Sequence, residues 1–422
     1  MKLIRTLILL LLILLPLSAA SVVNEGLSGG FASEENLKRF DFASESSDEY
    51  TNVEINLLTQ SPGEAVYTWF GHTSLEVSIP SYLDRDYNWG VFAFSASFYK
   101  DFAFGRLFYS LMANDMAYSI FKAEYEEREL RSLELNLTPS AKKSVIDFLN
   151  LNSKSENQHY LYHYYLDNCA TRVRDIYNAA TIGEFKAWAE GINTHKSFRD
   201  YTTDYMSDKS FIVSWTLNAL QGPAIDKKIN LYEACFMPDV LESAIEEFQK
   251  SKSIVIVESP EKIKAPISND LLISSLLIGL TIAIFIYTEE RHRIRVWGLL
   301  TFIFNLFLSI LSLVFLFFML FTNHDVTFFN ENIIFINPLL LIPAFQGLLT
   351  LIRKKDRGHR GTTITYRILT LLTIVLLIFK GLFPSFFIQE NFSAMFLVLP
   401  LYILGSLAKT KGGHQEKRPA KG

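Results

Sequence analysis

Cys169 stands in the run Tyr164-Tyr165-Leu166-Asp167-Asn168-Cys169-Ala170-Thr171-Arg172. The tract from Ala170 to Ala180 reads as helix, which puts the sulfur at a helix N-terminus. Free N–H groups and the positive end of the helix dipole favour a thiolate there, and the thiolate is the nucleophilic form. Asp167 and Asn168 are both good capping residues. The bland alternative is that Cys169 is a small buried hydrophobe. Cys235, the other of two cysteines, has no such setting and reads as structural. Two cysteines are too few for a disulfide framework, although an oxidising compartment would permit a Cys169–Cys235 bridge.

A cysteine nucleophile needs a base, and the base needs an orienting partner. Of eight histidines, His292, His359 and His414 fall in segments that read as cytoplasmic, and His324 lies close to the membrane. His72 follows Gly71 and opens a strand, so its ring would be held on a rigid element. His163 lies in the Tyr-rich approach to Cys169 and is the second choice. His159 and His195 are better read as satisfied or surface residues. Glu124, Glu126, Glu127 and Glu129 read as a solvated face, and Asp84 and Asp86 as turn residues. Arg106 follows Gly105 in an aromatic setting, where it serves either a surface salt bridge or a phosphate headgroup. Zinc spacing, a phosphate-binding glycine loop and a Gly-x-Ser-x-Gly elbow are all missing from the sequence, so no metal or cofactor is expected.

The elements that must position these residues read as one α+β domain. Strands are expected at Val53–Leu58, in the second half of Val66–Ile79, and at Tyr87–Phe92. In the second of these Leu75, Val77 and Ile79 share one face, and His72 and Ser74 share the other. Ala117–Leu137 is charged and reads as part strand. Thr138 with Pro139 starts a helix that runs to about Asn152, and Ser253–Val257 reads as a closing strand. Residues 21–50 form a Ser/Glu/Gly-rich leader.

The ends of the chain place this domain. Lys2 and Arg5, the apolar run Thr6–Leu17 and the small residues Ser18-Ala19-Ala20 resemble a secretory signal over 1–20. Five apolar stretches of about bilayer length follow a 259–270 linker, at 271–287, 296–321, 333–352, 368–387 and 392–407. Basic residues occupy alternate connections (288–295, 353–367 and the 409–422 tail), and by the positive-inside rule these face the cytoplasm. The domain at 51–258 therefore faces outward from a bacterial inner membrane, above a transmembrane domain at 271–408. The net charge of −4 averages unlike parts, and topology accounts for the basic loops, so a nucleic-acid partner has no support.

Phe70-Gly71-His72-Thr73, Tyr87-Asn88-Trp89-Gly90-Val91-Phe92-Ala93-Phe94, Phe104-Gly105-Arg106-Leu107 and Asp167-Asn168-Cys169-Ala170-Thr171-Arg172 resemble the pattern of the Lnb N-terminal periplasmic domain. Members of that family are lipoprotein N-acyltransferases with this domain fused to a membrane region. The arrangement is also similar to permuted papain-like folds of the NlpC and lecithin–retinol acyltransferase type. The resemblance implies Cys169 as nucleophile and His72 as base. A third residue on the next strand, Asn88, would orient the histidine, with Asp84 or Asp86 as alternatives. It further implies a membrane phospholipid as acyl donor and diacylated lipoproteins as acceptor. A papain-like hydrolase (phospholipase or cell-wall peptidase/amidase) and a non-catalytic lipid-binding protein are the other readings.

Overall fold

The computed structural model describes residues 50–92, 97–206, 211–259, 270–353 and 359–407. The expected signal, nearly all of the leader and of the linker, and the basic tail lie outside the described residues, as do Ala93 and Phe94. The chain divides into two compact units. Residues 50–206 and 226–259 form one, and residues 211–225 with 270–407 form the other.

The first unit is α+β. Its main sheet has seven antiparallel strands: β1 (Glu54–Gln60), β2 (His72–Ile79), β3 (Leu83–Val91), β4 (Phe108–Asp115), β5 (Leu130–Glu134), β6 (His159–Leu161) and β7 (Ile254–Val257), in the order β6-β4-β3-β2-β1-β5-β7. Five helices matter for the site: α1 (Phe98–Ala103), α2 (Met116–Tyr125), α3 (Pro139–Asn152), α4 (Cys169–Ala180) and α5 (Pro238–Gln249). Alternation along the strands sorts the two faces of the sheet. Ile55, Leu57, Leu75, Val77 and Leu133 join Val145 of α3, Val173 of α4 and Leu241 of α5 in one buried cluster. Leu58, Leu130 and Val257 cluster instead with Met116 and Ala123 of α2.

Two local expectations change. The second face of β2 is not solvated, because Ser74 and Glu76 are buried. Asp84 and Asp86 are not in a turn but lie within β3, paired with Ser78 and Glu76. Asp86 is only 3 % exposed and accepts a 2.6 Å hydrogen bond from Ser119 of α2, so a covering helix replaces the solvent that the acids seemed to require. The charged tract 117–137 is part strand, as expected, with β5 following the helix α2.

The second unit is helical. Leu271–Glu290, Ile294–Phe321 and Arg360–Leu382 are long and apolar enough to cross a membrane. Asp325–Ile334 and Pro338–Arg353 form a pair bent by 50°, and Phe392–Ser406 is a shorter apolar helix. The expected third stretch is therefore broken, and the fourth starts at Arg360 rather than near 368. Residues 211–225 were expected to continue the outward domain, yet they group with this unit. The reason is visible in the helix Phe211–Leu220. Its Trp215 is buried in the cluster formed by the long helices. Asn330 Nδ2 donates to the carbonyls of Ala219 and Leu220 at 2.8 and 3.0 Å, and Gln389 Nε2 donates to Gln221 at 2.9 Å. Carbonyls that a helix end leaves without partners are thus capped from within the helical unit.

Candidate active site

Helix α4 begins at Cys169 because Asn168 caps it fully. Asn168 Oδ1 accepts from Thr171 N at 2.9 Å, and Thr171 Oγ1 accepts from Asn168 N at 2.8 Å, a reciprocal capping box. The amide of Asn168 also donates to the carbonyls of Tyr164 and Phe236, both at 3.0 Å. Asp167 does not cap. Its two oxygens grip Arg172 at 2.7 and 3.0 Å, and that guanidinium lies 3.7 Å above the Tyr160 ring. The segment before the sulfur is therefore fixed by a buried, bidentate ion pair and a saturated cap.

The backbone N–H groups of Thr73, Ala170 and Cys169 itself are directed at the sulfur, which places it at the start of β2, beside the residue after His72. The paired register of β2 and β3 ends at Leu75–Tyr87. Cys169 is half-buried and free, as is the fully buried Cys235, whose thiol is pushed up to about 12 by burial. Burial is also the largest influence on Cys169 and raises its pKa. The three N–H groups and the charge of Arg128 oppose this without overcoming it. The helix start works toward the thiolate, as expected, but burial, which the sequence does not show, works against it more strongly.

His72 is set by two glycines. Gly71 has φ +77°, the left-handed region, and a Cβ there would stand 2.9 Å from the Gln60 carbonyl. Gly90 leaves the space that the imidazole fills, since a Cβ at 90 would stand 2.4 Å from His72 Cε1. The ring's Nε2 lies 2.9 Å from Asn88 Oδ1, which also accepts from Gly90 N at 2.7 Å. The second bond assigns the amide: the atom facing a backbone N–H must be the oxygen, so Nε2 carries the hydrogen and Nδ1 keeps its lone pair. Burial, then the charge of Arg128, pushes His72 down to about 4, while the Asn88 bond works the other way. At neutral pH the site holds a neutral thiol and a neutral imidazole.

The other histidines of this unit are engaged elsewhere or exposed. His163 Nδ1 accepts from Tyr165 N and Leu166 N at 3.2 and 3.1 Å and so shapes the turn before Cys169. His159 Nδ1 lies 2.7 Å from Ser110 Oγ. His195 is exposed at the surface.

Arg106 is exposed, between α1 and β4. The arginine whose charge acts on both Cys169 and His72 is Arg128, which the sequence reading passed over. It is only 4 % exposed, donates from Nε to the Ser61 carbonyl at 2.7 Å and from Nη1 to Glu126 at 3.0 Å, and its Nη2 is buried without a hydrogen-bond partner. Ser61 adjoins Gln60, the cross-strand partner of His72. Three flanking glutamates made Arg128 look like part of a solvated face. Glu124 and Glu127 are indeed exposed, but Glu126 and Glu129 are half-buried and pair with Arg128 and Arg131. The only sequence hint was Gly63, whose missing side chain makes room for the Arg128 stem: a Cβ there would lie 3.0 Å from Arg128 Cδ. Among the described residues, no cluster of His, Cys, Asp and Glu could hold a metal.

Fold and site define an α+β domain with a half-buried cysteine at a helix start and a histidine locked by an asparagine, joined to helices of membrane-spanning length. A family model described as the Lnb N-terminal periplasmic domain matches residues 41–202, and one described as the Lnb transmembrane domain matches residues 263–409. No curated protein and no solved structure matches the chain. The chain belongs to the Lnb family. Membership points to an inner-membrane enzyme that modifies lipoproteins, with a periplasmic N-terminal domain.

Proposed function

We propose that this protein is a lipoprotein N-acyltransferase that carries the acyl group as a thioester on Cys169. The observation that carries the reading is the bond from His72 Nε2 to Asn88 Oδ1, which leaves Nδ1 as the proton acceptor on a ring whose neighbour Thr73 directs its N–H at the sulfur. This is the arrangement expected of a permuted papain-like site, with Asn88 in the orienting role.

In the first step Sγ attacks the carbonyl carbon of a phospholipid ester as its proton passes to His72 Nδ1. The tetrahedral intermediate collapses, the ester C–O bond breaks, and the imidazolium returns the proton to the departing lysolipid oxygen. In the second step the α-amine of the N-terminal cysteine of a diacylated lipoprotein attacks the thioester. An amide forms, and the thiol recovers its proton through His72. Because thiol and imidazole are both neutral at rest, proton transfer accompanies the attack rather than preceding it. The N–H groups around the sulfur are suited to the oxyanion that develops two bonds away, on the carbon that Sγ attacks. Amines attack thioesters readily, so a site that excludes water transfers rather than hydrolyses. In this reading Arg106 contacts the donor headgroup, and the domain faces the periplasm above several spans, where both lipid-anchored substrates meet it.

The test is to incubate the full-length protein with acyl-labelled phospholipid and a diacylated lipopeptide. Wild type should form acyl-Cys169 and pass the label to the peptide amine, and His72→Ala should form it at least about a hundredfold more slowly. Label released only as free fatty acid would make the protein a phospholipase. No acyl-Cys169 at all would end the thioester mechanism.

A further inference from the structure

Two aromatic tracts have no role so far: the stretch around α1 and β4, and the tyrosines that lead to Cys169. The fold joins them. Tyr162 stacks on Tyr109 with ring centroids 4.3 Å apart, and Tyr109 meets Phe92 at 5.1 Å. Phe92 stacks on Phe98 at 5.6 Å, and Phe98 on Phe102 at 6.2 Å. Tyr67 meets Phe92 edge-on at 6.2 Å.

The inner end of this row adjoins the start of α4: Tyr162 meets Tyr164 edge-on at 5.7 Å, and the Tyr164 carbonyl accepts a 3.0 Å bond from the side-chain amide of Asn168, the residue before Cys169. The outer end opens to the surface, where Tyr67 is 66 % and Phe102 44 % exposed. Large apolar rings that stay open on one side of a folded domain mark a surface that takes an apolar ligand. The rings touch one another, so the row offers a bed rather than a closed cavity.

We propose that this row is the bed on which the acyl chain of the Cys169 thioester lies. The inference rests on the acyl-thioester reading. A chain attached at Sγ must leave the sulfur along some wall, and each methylene removed from water contributes about 0.8 kcal/mol, a factor of about four in affinity. The row starts beside the segment that presents Cys169, is aromatic along its length, and leads outward. Its length selects long chains: a short acyl group ends against Tyr109 and Tyr162, whereas a long one reaches Phe98 and Phe102.

The experiment uses full-length protein in detergent micelles with dioctanoyl or dipalmitoyl phosphatidylethanolamine, reading acyl-Cys169 by intact-protein mass. Phe98→Ser and Phe102→Ser should slow acylation by the long-chain donor about fifteenfold, the loss expected when two methylenes lose their contacts. Acylation by the short-chain donor should be unchanged, and Phe98→Leu should restore the long-chain rate. Equal losses with both donors, or none with either, would overturn the bed. Losses seen only in liposomes would assign the rings to the bilayer surface and overturn it too. Wild type that acylates with neither donor would instead defeat the thioester reading on which the bed depends.

Discussion

Gly90→Ala isolates the histidine's position from the stability of the fold. The added Cβ would lie 2.4 Å from His72 Cε1 and 3.1 Å from both His72 Nε2 and Asn88 Oδ1. Carbon atoms rest at about 3.5–4.0 Å, so the ring must retreat by about 1 Å. That movement stretches the 2.9 Å bond to Asn88 beyond useful length and displaces Nδ1 by a similar amount. A misplacement of about 1 Å in a reacting group costs about a hundredfold in rate. The colliding atoms belong to side chains that can move, so the loss in stability should stay near the low end of overpacking, about 1 kcal/mol.

The assay is single-turnover formation of acyl-Cys169, run beside a urea unfolding curve. Gly90→Ala should lose about two orders of magnitude in rate with only a small shift in midpoint. In a His72→Ala background the same substitution should do nothing further, because the group it displaces is already gone. A Gly90→Ala protein that acylates at the wild-type rate would refute the argument. So would a double variant that is clearly slower than His72→Ala alone.

Four further outcomes follow from the same geometry. Alkylation of Cys169 by iodoacetamide should rise only above the usual thiol range, with no acid plateau, because burial raises the thiol and His72 stays neutral down to about 4; a low-pH plateau would show a thiolate–imidazolium pair and contradict this. Asn88→Asp places a carboxylate against His72 and should move the acid limb of acylation upward by about one to three pH units, read from the rate–pH profile; an unmoved limb would mean that residue 88 does not face the ring. Asp167→Ala leaves Arg172 buried without its carboxylate and should cost about 3–5 kcal/mol in urea unfolding, whereas a loss below 1 kcal/mol would mean the pair is not buried as described. Burial raises Glu76 to about 7, so the folded protein holds a proton there that the unfolded chain releases near 4.5. The stability this gives is complete below pH 4.5 and is lost as pH rises through 7. Glu76→Gln should remove that fall from a chemical-denaturation series, and a series unchanged by the substitution would show that Glu76 ionises normally.

Much of the site's scaffold was legible because it is local. Asn168 and Thr171 cap α4, Thr138 and Pro139 start α3, and Leu75 and Val77 alternate into the core, each signalled by neighbours in sequence. What escaped depends on partners far along the chain. Asp86 sits in a strand only because Ser119 of α2 covers it. Arg128 is buried only because Gly63 and Ser61 receive it, and the acids beside it disguised this. The segment 211–225 leaves the outward domain only because Asn330, Asn332 and Gln389 hold the end of its helix.

The same distinction explains the charge state of the sulfur. A helix start and a saturated cap are local features, and on their own they argue for a thiolate. Burial comes from α4 being seated against β2 and β3, and it wins over three N–H groups and Arg128 together. Arg128 then acts on both partners in the same sense. It favours the thiolate and disfavours the imidazolium, so removing it should leave Cys169 less acidic and His72 more basic. In an Arg128→Gln protein the two shifts would oppose each other, the ring accepting a proton more readily and the thiol giving one up less readily. The arginine therefore does not simply lower a barrier. It lowers the pKa of both groups, so it supports the anion on the sulfur while helping to hold the ring in the neutral form that can take the thiol proton.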